Sequence, residues 1–254
     1  MITFKRLGTY GRLGNQLFQI ASIIGIANEN KTNYSFPYWS YNTYLKNTLP
    51  ILDSEVKQTI IHDEFCYKKL TIINNTDTIN IFGYLQSYKF FSNIDVKQIF
   101  ELKEEHLLYR NKYKFDNTVS IHVRRTDYLT NSHVYPSLSI DYYKGALDEL
   151  DKLGIKDYVV YVFSDDIDWC KDNLDFVENI YFISGYNEIV ELNMMSECTH
   201  HIISNSTFSW WSAYLSKGSD KKIICPNTWF KPCNEIKNFI YDDLIPKEWI
   251  KINI

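Results

Sequence analysis

Two adjacent arginines, Arg124 and Arg125, directly follow an apolar segment at 119–123, and the carboxylate of Asp127 comes two residues later. A guanidinium is planar, permanently charged and matched in shape to phosphate or carboxylate. A pair of guanidinium groups at the end of a strand therefore predicts a clamp for a diphosphate. The alternative is a solvated arginine that pairs weakly with Asp127.

Small hydroxylated residues form a second candidate anion site. An apolar segment at 201–203 leads through a Ser-Asn-Ser-Thr run into a predicted amphipathic helix. Backbone N–H groups at the N-terminus of a helix bind anions, and hydroxyl groups beside them can assist. The alternative is that Ser206 or Thr207 only caps the helix, while Trp210 and Trp211 pack in the core.

An acidic pair, Asp165 and Asp166, follows another predicted strand and forms the third candidate site. A carboxylate at a strand end could accept hydrogen bonds from ribose hydroxyls or from the amino edge of guanine. A metal-binding Asp-x-Asp motif and simple helix capping are the alternatives. Arg124 and the helix N-terminus could already neutralise a diphosphate, which favours a site without metal.

The fourth candidate site is a glycine loop that contains Gly11, Gly14, Asn15 and Gln16. Glycine lets another molecule approach the backbone closely, and the two amides suit sugar hydroxyls or a phosphate oxygen. The loop also partly matches a dinucleotide fingerprint, which would indicate an NAD-dependent oxidoreductase. The glycine spacing differs, and the acidic residue expected about 20 positions later is absent from 33–37.

Alternating strands and helices must position these residues. In the second half of the chain the pattern predicts a parallel sheet, because strands and helices follow each other at short, regular spacing. The predicted strands are 118–123, 158–163, 179–183, 200–204 and 222–225, and the predicted helices are 140–153 (capped by Ser139 and stopped by Gly154), 166–174, 187–198 and 207–217.

The first half is less regular. It begins with a predicted strand at 1–6, the glycine loop and a helix at 13–28, and it continues with a short strand at 79–84 and a charged helical stretch at 99–113. We therefore expect two domains, 1–115 and 116–254.

Composition excludes several classes of protein. The chain has 254 residues, 45% of them hydrophobic, so it can bury a substantial core. The net charge of -4 argues against a general nucleic-acid binder. Five scattered cysteines without a Cys-x-x-Cys pair indicate neither a disulfide framework nor a zinc site. With no leader and no apolar run long enough for a bilayer, we expect a cytoplasmic protein without an integral membrane segment.

Taken together, the motifs resemble the α-1,2-fucosyltransferases of glycosyltransferase family 11, in their bacterial form. The motifs occur in the order of that family and extend over nearly the whole chain. They lie at 11–19, 122–128, 163–166, 204–211 and 242–249. One departure is Thr126, where the family usually has glycine.

The resemblance implies an α/β, GT-B-like architecture of two Rossmann-like domains that face each other across a cleft. The C-terminal domain would hold GDP-β-L-fucose, and the N-terminal domain would face the acceptor. The implied reaction is an inverting, metal-independent transfer of fucose to the 2-hydroxyl of a terminal β-galactoside, with no cofactor besides the donor substrate. Bacterial relatives build surface polysaccharide, often on lipid-linked intermediates, so loose contact with the inner face of the membrane is conceivable.

The resemblance also assigns roles around the donor. Arg124 would hold the β-phosphate and stabilise departing GDP, and Arg125 would pair internally. Asp127 is the first candidate for the general base, with a structural salt bridge to an arginine as an equal alternative. The remaining donor-binding residues are His122 and Asp165 near the guanosine, and Ser206, Thr207 and Phe208 around the diphosphate.

On the acceptor side, Asn15 would reach into the cleft and take part in catalysis. Arg12 and Gln16 would line the same side, and Gly11 and Gly14 would shape the loop. The acceptor pocket itself should lie within 36–95, where the sequence contains no motif.

Other functions remain open at this point. A related fucosyltransferase with an α-1,6 or protein O-linked product would use a similar arginine. A non-enzymatic sugar-binding protein is suggested by 20 Tyr and 6 Trp residues, although aromatic residues at helical spacing are more often part of a core.

Overall fold

The computed structural model describes residues 1–62, 65–73, 77–233 and 240–254. Five residues of the expected acceptor region, 63, 64 and 74–76, therefore lie outside the described residues. The chain divides into two compact units. The first unit comprises Met1–Leu107 and Asn238–Lys247, and the second comprises Leu108–Lys237 and Glu248–Ile254.

The division between the units falls before residue 115, the boundary expected from the sequence. The residues just after Leu107 belong to the second unit because they bond to one of its helices. The Tyr109 hydroxyl donates to Asn193 Oδ1 over 2.6 Å, and Arg110 forms an ion pair with Glu197. The return of a C-terminal segment to the first unit was not predicted.

The first unit contains a small parallel sheet. Its strands are β1 (Ile2–Thr3), β2 (Val56–Ile61) and β3 (Thr78–Phe82), in the order β1-β3-β2. Helix α1 (Leu13–Glu29) follows the glycine loop and is buried along most of its length, and α2 (Val96–Ile99) is a single turn. Strand β1, with two residues, is shorter than the strand predicted at 1–6.

The second unit is a six-stranded parallel sheet with helices between the strands. The strands are β4 (Thr118–Val123), β5 (Val159–Ser164), β6 (Ile180–Ile183), β7 (His200–Ile202), β8 (Ile223–Pro226) and β9 (Ile250–Ile252). The helices are α3 (Thr126–Thr130), α4 (Ile140–Lys152), α5 (Ile167–Asn173), α6 (Glu188–Glu197) and α7 (Thr207–Leu215).

The order of these strands determines where a ligand can bind. The sheet runs β6-β5-β4-β7-β8-β9, so the chain builds outward from β4 in one direction and then resumes at β7 on its other side. This is the doubly wound order, in which ligands bind outside the carboxyl ends of the strands at the point of reversal. The reversal lies between β4 and β7.

Strand β4 is buried at every residue, as expected for a parallel strand that is covered on both faces. Side chains alternate between the faces. Val119, Ile121 and Val123 belong to a hydrophobic core that includes Tyr142 and Tyr143 of α4. Ser120 and His122 therefore point to the opposite face of the sheet. Helix α4 ends before Gly154, which has a φ of +80°, as predicted.

Three further features of the chain differ from the sequence prediction. The charged stretch at 99–113 is not one helix but contains the 3₁₀ turns Glu104–His106 and Leu108–Asn111. The short helix α3 and the strand β9 were not predicted. Helix α3 has only five residues, too few to show a periodic pattern, and it begins where Asp165 accepts a hydrogen bond from the Arg125 N–H.

Candidate functional site

Arg124 lies immediately beyond β4, at the reversal of the sheet, and is held by two carboxylates. Its Nη2 lies 2.8 Å from Asp127 Oδ1 and 2.9 Å from Asp127 Oδ2, and its Nη1 lies 3.2 Å from Asp165 Oδ2. The side chain is 12% exposed. Burial alone would lower the pKa of Arg124, but the two carboxylates outweigh it and raise this pKa above its usual value.

Asp165 closes the loop that carries the arginines. Its Oδ1 accepts from the Arg125 N–H over 2.9 Å, and its Oδ2 accepts from the Thr126 hydroxyl over 2.5 Å. Burial tends to raise the pKa of Asp165, but the Thr126 hydrogen bond, the charge of Arg124 and the Arg125 N–H together lower it. Asp165 is thus a carboxylate with several fixed donors, which connects the ends of β4 and β5.

Arg125 points away from Arg124 and makes its own set of contacts. Its Nε donates to Asp166 Oδ2 over 3.1 Å, and its guanidinium lies 3.9 Å from the centre of the Trp169 ring. Asp166 also caps α5 by accepting from the Trp169 N–H. The two arginines are therefore adjacent in sequence but belong to different clusters.

The residues after β7 form a rigid turn into α7. Asn205 is buried, and its Nδ2 donates to the carbonyl oxygens of Pro136 and Trp229 over 3.2 and 3.1 Å. The hydroxyl of Tyr128, in α3, donates to the Asn205 carbonyl over 2.7 Å. This bond ties the turn before α7 to the helix that carries Asp127. Arg124 lies over the same Tyr128 ring, 5.7 Å from its centre.

At the start of α7, Ser206 acts as the helix cap. Its Oγ accepts from the Phe208 N–H over 3.3 Å, which is the arrangement considered as the alternative to phosphate binding. Thr207 and Phe208 are only partly buried, and Trp210 and Trp211 are fully buried. The first turn of α7 contains no acidic residue, so its positive end is not opposed by a carboxylate of its own.

His122 is buried at the end of β4 and contacts both parts of the site. Its Nδ1 lies 2.7 Å from Ser204 Oγ, and its ring centre lies 5.4 Å from that of Phe208. Burial and, to a smaller extent, the charge of Arg124 lower the pKa of His122 to about 3, against an opposing effect of Asp165. The imidazole is therefore neutral near pH 7.

In the first unit, amide side chains hold the glycine loop. Gln16 Nε2 donates to the Gly11 carbonyl over 2.9 Å, and Gln16 Oε1 accepts from Trp39 Nε1 over 2.7 Å. Gln16 is 6% exposed, so both ends of its amide serve the loop. Gly11 has a φ of +79°, and a Cβ there would lie 2.6 Å from Asn15 Nδ2, so glycine is required at this position.

Asn15, Arg12 and Gly14 lie at the start of α1. Asn15 is half-buried, and its Oδ1 accepts from Gln86 Nε2 over 2.8 Å. Arg12 precedes the helix with an exposed side chain, and Gly14 is buried in the first turn. The structure thus groups Gly11, Asn15 and Gln16 around one loop.

Tyr128, Ser204 and Gln86 take part in these networks but were not assigned to the site from the sequence, and Thr126 was noted only as a departure from the family pattern. Tyr128 and Ser204 lie inside motifs that resemble the family, but their partners are far away in the chain. No local pattern marks Gln86, which follows β3 and is brought to Asn15 only by the fold.

Among the described residues, no group of three or more His, Cys, Asp and Glu side chains is arranged to hold a metal ion. In the same part of the chain, none of the helices combines the length and the apolar character needed to cross a bilayer.

Comparison with known proteins relates this chain to a group of transferases. The chain is 35% identical over 127 residues to the O-antigen biosynthesis glycosyltransferase WbnK of Escherichia coli, covering 48% of this chain and 42% of that protein. It is 35% identical over 143 residues to an α-1,2-colitosyltransferase of Escherichia coli, covering 54% and 48%. The match thus spans less than half the length of these two relatives. The chain is 23% identical over 279 aligned residues to galactoside α-(1,2)-fucosyltransferase 1 of Homo sapiens, and the alignment covers 96% of this chain and 73% of that protein.

Solved structures of similar fold include the fucosyltransferase NodZ and POFUT1. NodZ from Bradyrhizobium superposes with a TM-score of 0.57 at 11% identity, covering 84% of this chain and 91% of NodZ. POFUT1 in complex with GDP-fucose superposes with a TM-score of 0.53 at 12% identity, covering 87% and 96%. These likenesses confirm the predicted α/β, GT-B-like fold.

A family model describes almost the entire chain. It matches residues 4–253, a span that includes the glycine loop, the Arg124 loop and the turn into α7. The sequence resemblance is thereby confirmed, and the chain belongs to glycosyl transferase family 11.

Proposed function

We propose that this protein transfers L-fucose from GDP-β-L-fucose to the 2-hydroxyl of a terminal β-galactoside, with inversion, to form an α-1,2 linkage. One observation carries the proposal: a buried arginine, Arg124, is fixed at the reversal of a doubly wound sheet, beside the turn into α7. Family membership and the names of the α-1,2-transferring relatives support the linkage.

The reaction needs positive charge at the leaving group. The bond between fucose C1 and the β-phosphate oxygen breaks, the acceptor O2 bonds to C1 from the opposite face, and the acceptor proton leaves. Negative charge grows on the diphosphate as GDP departs. A fixed cation and helix N–H groups at that point stabilise the transition state without reorganising. In our proposal Arg124 supplies the charge, and Ser206, Thr207 and Phe208 at the positive end of α7 cradle the diphosphate. No metal is required for this step.

The charges around Arg124 suggest how it accepts a phosphate. It already faces two carboxylates, so a diphosphate must replace one of them to gain a full ion pair. Asp165 is 17% exposed and receives hydrogen bonds from Thr126 and from the Arg125 N–H, whereas Asp127 is 37% exposed and lies on the short helix α3. We therefore propose that Asp165 is the permanent anchor of Arg124 and that the β-phosphate displaces Asp127.

This exchange joins the two roles considered for Asp127. Without donor, its carboxylate pairs with Arg124. With donor bound, Asp127 is released beside the reacting diphosphate and is the first candidate for accepting the proton of the acceptor hydroxyl. Arg125, held by Asp166 and Trp169, keeps the loop in place and does not contact the donor.

The acceptor is proposed to be a galactoside-terminated glycan, and a lipid-linked glycan fits the O-antigen biosynthesis named for one relative. In the first unit, Asn15 and the exposed Arg12 are the side chains we assign to it. Gln16 is internal to the loop and supports its shape. Work on a lipid-linked acceptor would place the protein in the cytoplasm, at the inner face of the membrane.

A second donor is favoured by one specific observation. An α-1,2-colitosyltransferase is among the relatives that are 35% identical to this chain. Colitose is fucose without the 3-hydroxyl, so the same phosphate contacts serve both sugar nucleotides, and only contacts to the 3-hydroxyl distinguish them.

A donor panel tests the proposal. We expect GDP to bind in calorimetry, whereas NAD and free galactose do not bind in the absence of GDP. GDP-fucose should release GDP only when a β-galactoside such as lactose is present, at the same rate with and without a chelator. Faster release from GDP-colitose would identify the second donor. Binding of NAD without binding of GDP, or release that requires a metal, would refute the proposal.

A further inference from the structure

The side chain of Gln86 contains a buried hydrogen-bond acceptor without a donor. Gln86 is 4% exposed, and its Nε2 donates to Asn15 Oδ1 over 2.8 Å. Its Oε1 is buried and has no hydrogen-bond partner among the described residues. A buried carbonyl oxygen of this kind is costly to the fold unless a ligand supplies the donor.

A second glutamine has the same pattern but lies deeper in the first unit. Gln19, one turn beyond Asn15 in α1, donates its Nε2 to the Tyr10 carbonyl over 2.9 Å, and its Oε1 also lacks a partner in the described part of the chain. Gln19 is fully buried, whereas Gln86 contacts Asn15, which is half-buried at the start of α1. Of the two amides, that of Gln86 is therefore the one joined to a side chain that reaches solvent.

The backbone before Gln86 is held in an unusual conformation. Leu85 has a φ of +54°, in the left-handed region that residues other than glycine rarely adopt. Its carbonyl accepts from the Ser22 hydroxyl and from the Ser87 N–H, each over 3.0 Å. Strained backbone of this kind persists where the surrounding structure fixes it, and it is concentrated at positions that bind ligands.

Tyr84 restrains the same segment through its ring. The ring centre lies 4.9 Å from that of Tyr10 and 5.2 Å from that of Phe65, and the Phe65 ring is stacked on it. The residues that lead from β3 to Gln86 are thus fixed by packing as well as by hydrogen bonds. A fixed amide binds one hydroxyl in one orientation at a small cost in entropy.

The chemistry of the bare atom limits the kind of ligand. A carbonyl oxygen accepts hydrogen bonds and repels an anion, so its partner is a hydroxyl or an N–H group and not a phosphate. In the proposed function Asn15, which Gln86 holds, is assigned to the galactoside. A galactoside has several hydroxyl groups besides the one that reacts.

We infer that Gln86 is an acceptor-binding residue, whose Oε1 accepts a hydrogen bond from one hydroxyl of the acceptor galactose other than the 2-hydroxyl. This inference rests on the proposed function and adds a residue that selects the acceptor sugar. A sugar that lacks this hydroxyl would leave the Gln86 carbonyl without a donor and would be a poor acceptor.

Deoxy analogues of lactose test the contact. The analogues lack the 3-, 4- or 6-hydroxyl of galactose, and for one of them the wild-type kcat/KM should fall about ten- to hundredfold. Gln86→Met removes the amide at similar volume, so its kcat/KM with lactose should fall by a similar factor. With the critical analogue, Gln86→Met should lose no more than about twofold further. Equal further losses in wild type and Gln86→Met for every analogue would overturn the inference.

The same comparison separates a direct contact from a structural role. If Gln86 acted only by holding Asn15, Gln86→Met would lower kcat/KM by one factor for lactose and for every analogue. Gln19→Met is the matched control, because it also removes a bare carbonyl and one hydrogen bond, and it should keep the wild-type ratio of lactose to analogue. GDP should bind to both variants within about twofold of wild type in calorimetry. A tenfold loss of GDP binding confined to Gln86→Met would place Gln86 at the donor and contradict the inference.

Lactose binding distinguishes failure of this inference from failure of the proposed function. Lactose is titrated into the GDP-bound protein and followed by saturation-transfer NMR, which requires no transfer of fucose. Binding to Gln86→Met that is at least tenfold weaker than binding to Gln19→Met supports the contact, even if the wild type forms no product and the proposed function fails. Equal lactose binding by Gln86→Met and wild type, or no lactose binding by wild type, would overturn the inference.

Discussion

Arg124→Ala should nearly abolish transfer while leaving a folded protein, and the neighbouring Arg125→Ala should not. The two side chains are comparably buried, with exposures of 12% and 18%, and each forms ion pairs. They differ in what surrounds them. Arg124 lies at the reversal of the sheet, between Asp127 and Asp165, and Arg125 is stacked on Trp169. The comparison therefore separates loss of a catalytic charge from loss of a structural arginine.

The expected magnitudes follow from these contacts. Removing one preorganised donor to a transition-state oxyanion costs about 100- to 1000-fold in turnover, or about 3–4 kcal/mol. Removing one partner of a fully buried ion pair costs about 3–5 kcal/mol of stability. Because Asp127 is 37% exposed, we expect a smaller stability loss for Arg124→Ala, about 2 kcal/mol. Arg125→Ala should lose about 1–2 kcal/mol of stability and less than about fivefold in turnover.

The assay combines kinetics with stability. Initial rates of GDP release are measured with saturating GDP-fucose and lactose, and urea titrations at the same temperature give the free energy of unfolding and the folded fraction. Turnover per folded molecule is then compared. Arg124→Ala within tenfold of wild type would refute the assignment of the leaving-group charge. Equal turnover losses in the two arginine variants would show that loop structure, and not the charge of Arg124, controls the rate.

Three further predictions concern carboxylates and a histidine. Asp127→Asn removes the negative charge that competes with the phosphate for Arg124, so GDP should bind about two- to tenfold more tightly. Turnover should fall at least tenfold, because the candidate general base is lost. Weaker GDP binding in calorimetry would contradict the exchange of Asp127 for phosphate. Burial lowers the pKa of His201 to about 3 in the folded state, so below pH 6.5 only the unfolded chain protonates this imidazole and the free energy of unfolding falls. His201→Asn can keep the bond to Ser120, and in urea titrations it should reduce the loss of stability between pH 7 and pH 5 by about 2 kcal/mol. An unchanged loss of stability in this variant would count against the role of His201. Burial, together with Glu188, raises the pKa of Glu191 to about 7, so ionisation of Glu191 destabilises the fold as pH rises from about 4.5 through 7. In urea titrations Glu191→Gln should increase the free energy of unfolding by about 1–2 kcal/mol at pH 8, a value discounted for partial exposure, and should leave it unchanged at pH 4. An equal increase at both pH values would argue for another cause.

The regular part of the fold could be predicted because its signals are local. Strand β4 has the predicted bounds, since a short apolar run ends at two charged residues, and α4 ends where Gly154 supplies a left-handed turn. The order of the strands could not be predicted, because alternation of strands and helices is compatible with several orders. That order brings the end of β4 next to β7 and so creates the site.

The candidate site could be predicted as a set of residues but not as a network. Arg124 and Asp127 are three residues apart, and their ion pair was considered from the sequence. The partners of His122 and Tyr128, by contrast, are Ser204 and the Asn205 carbonyl, which are 82 and 77 residues away. Such contacts depend on tertiary structure, and a single sequence carries no trace of them.

The linkage of the product tests the central proposal most directly. GDP-fucose and lactose are incubated with the protein, and the trisaccharide is analysed by NMR for the anomeric configuration of fucose and the substituted position of galactose. The account predicts a single product with α-fucose on the 2-hydroxyl of galactose. Fucose in β configuration, fucose on another hydroxyl, or release of GDP without any trisaccharide would contradict it.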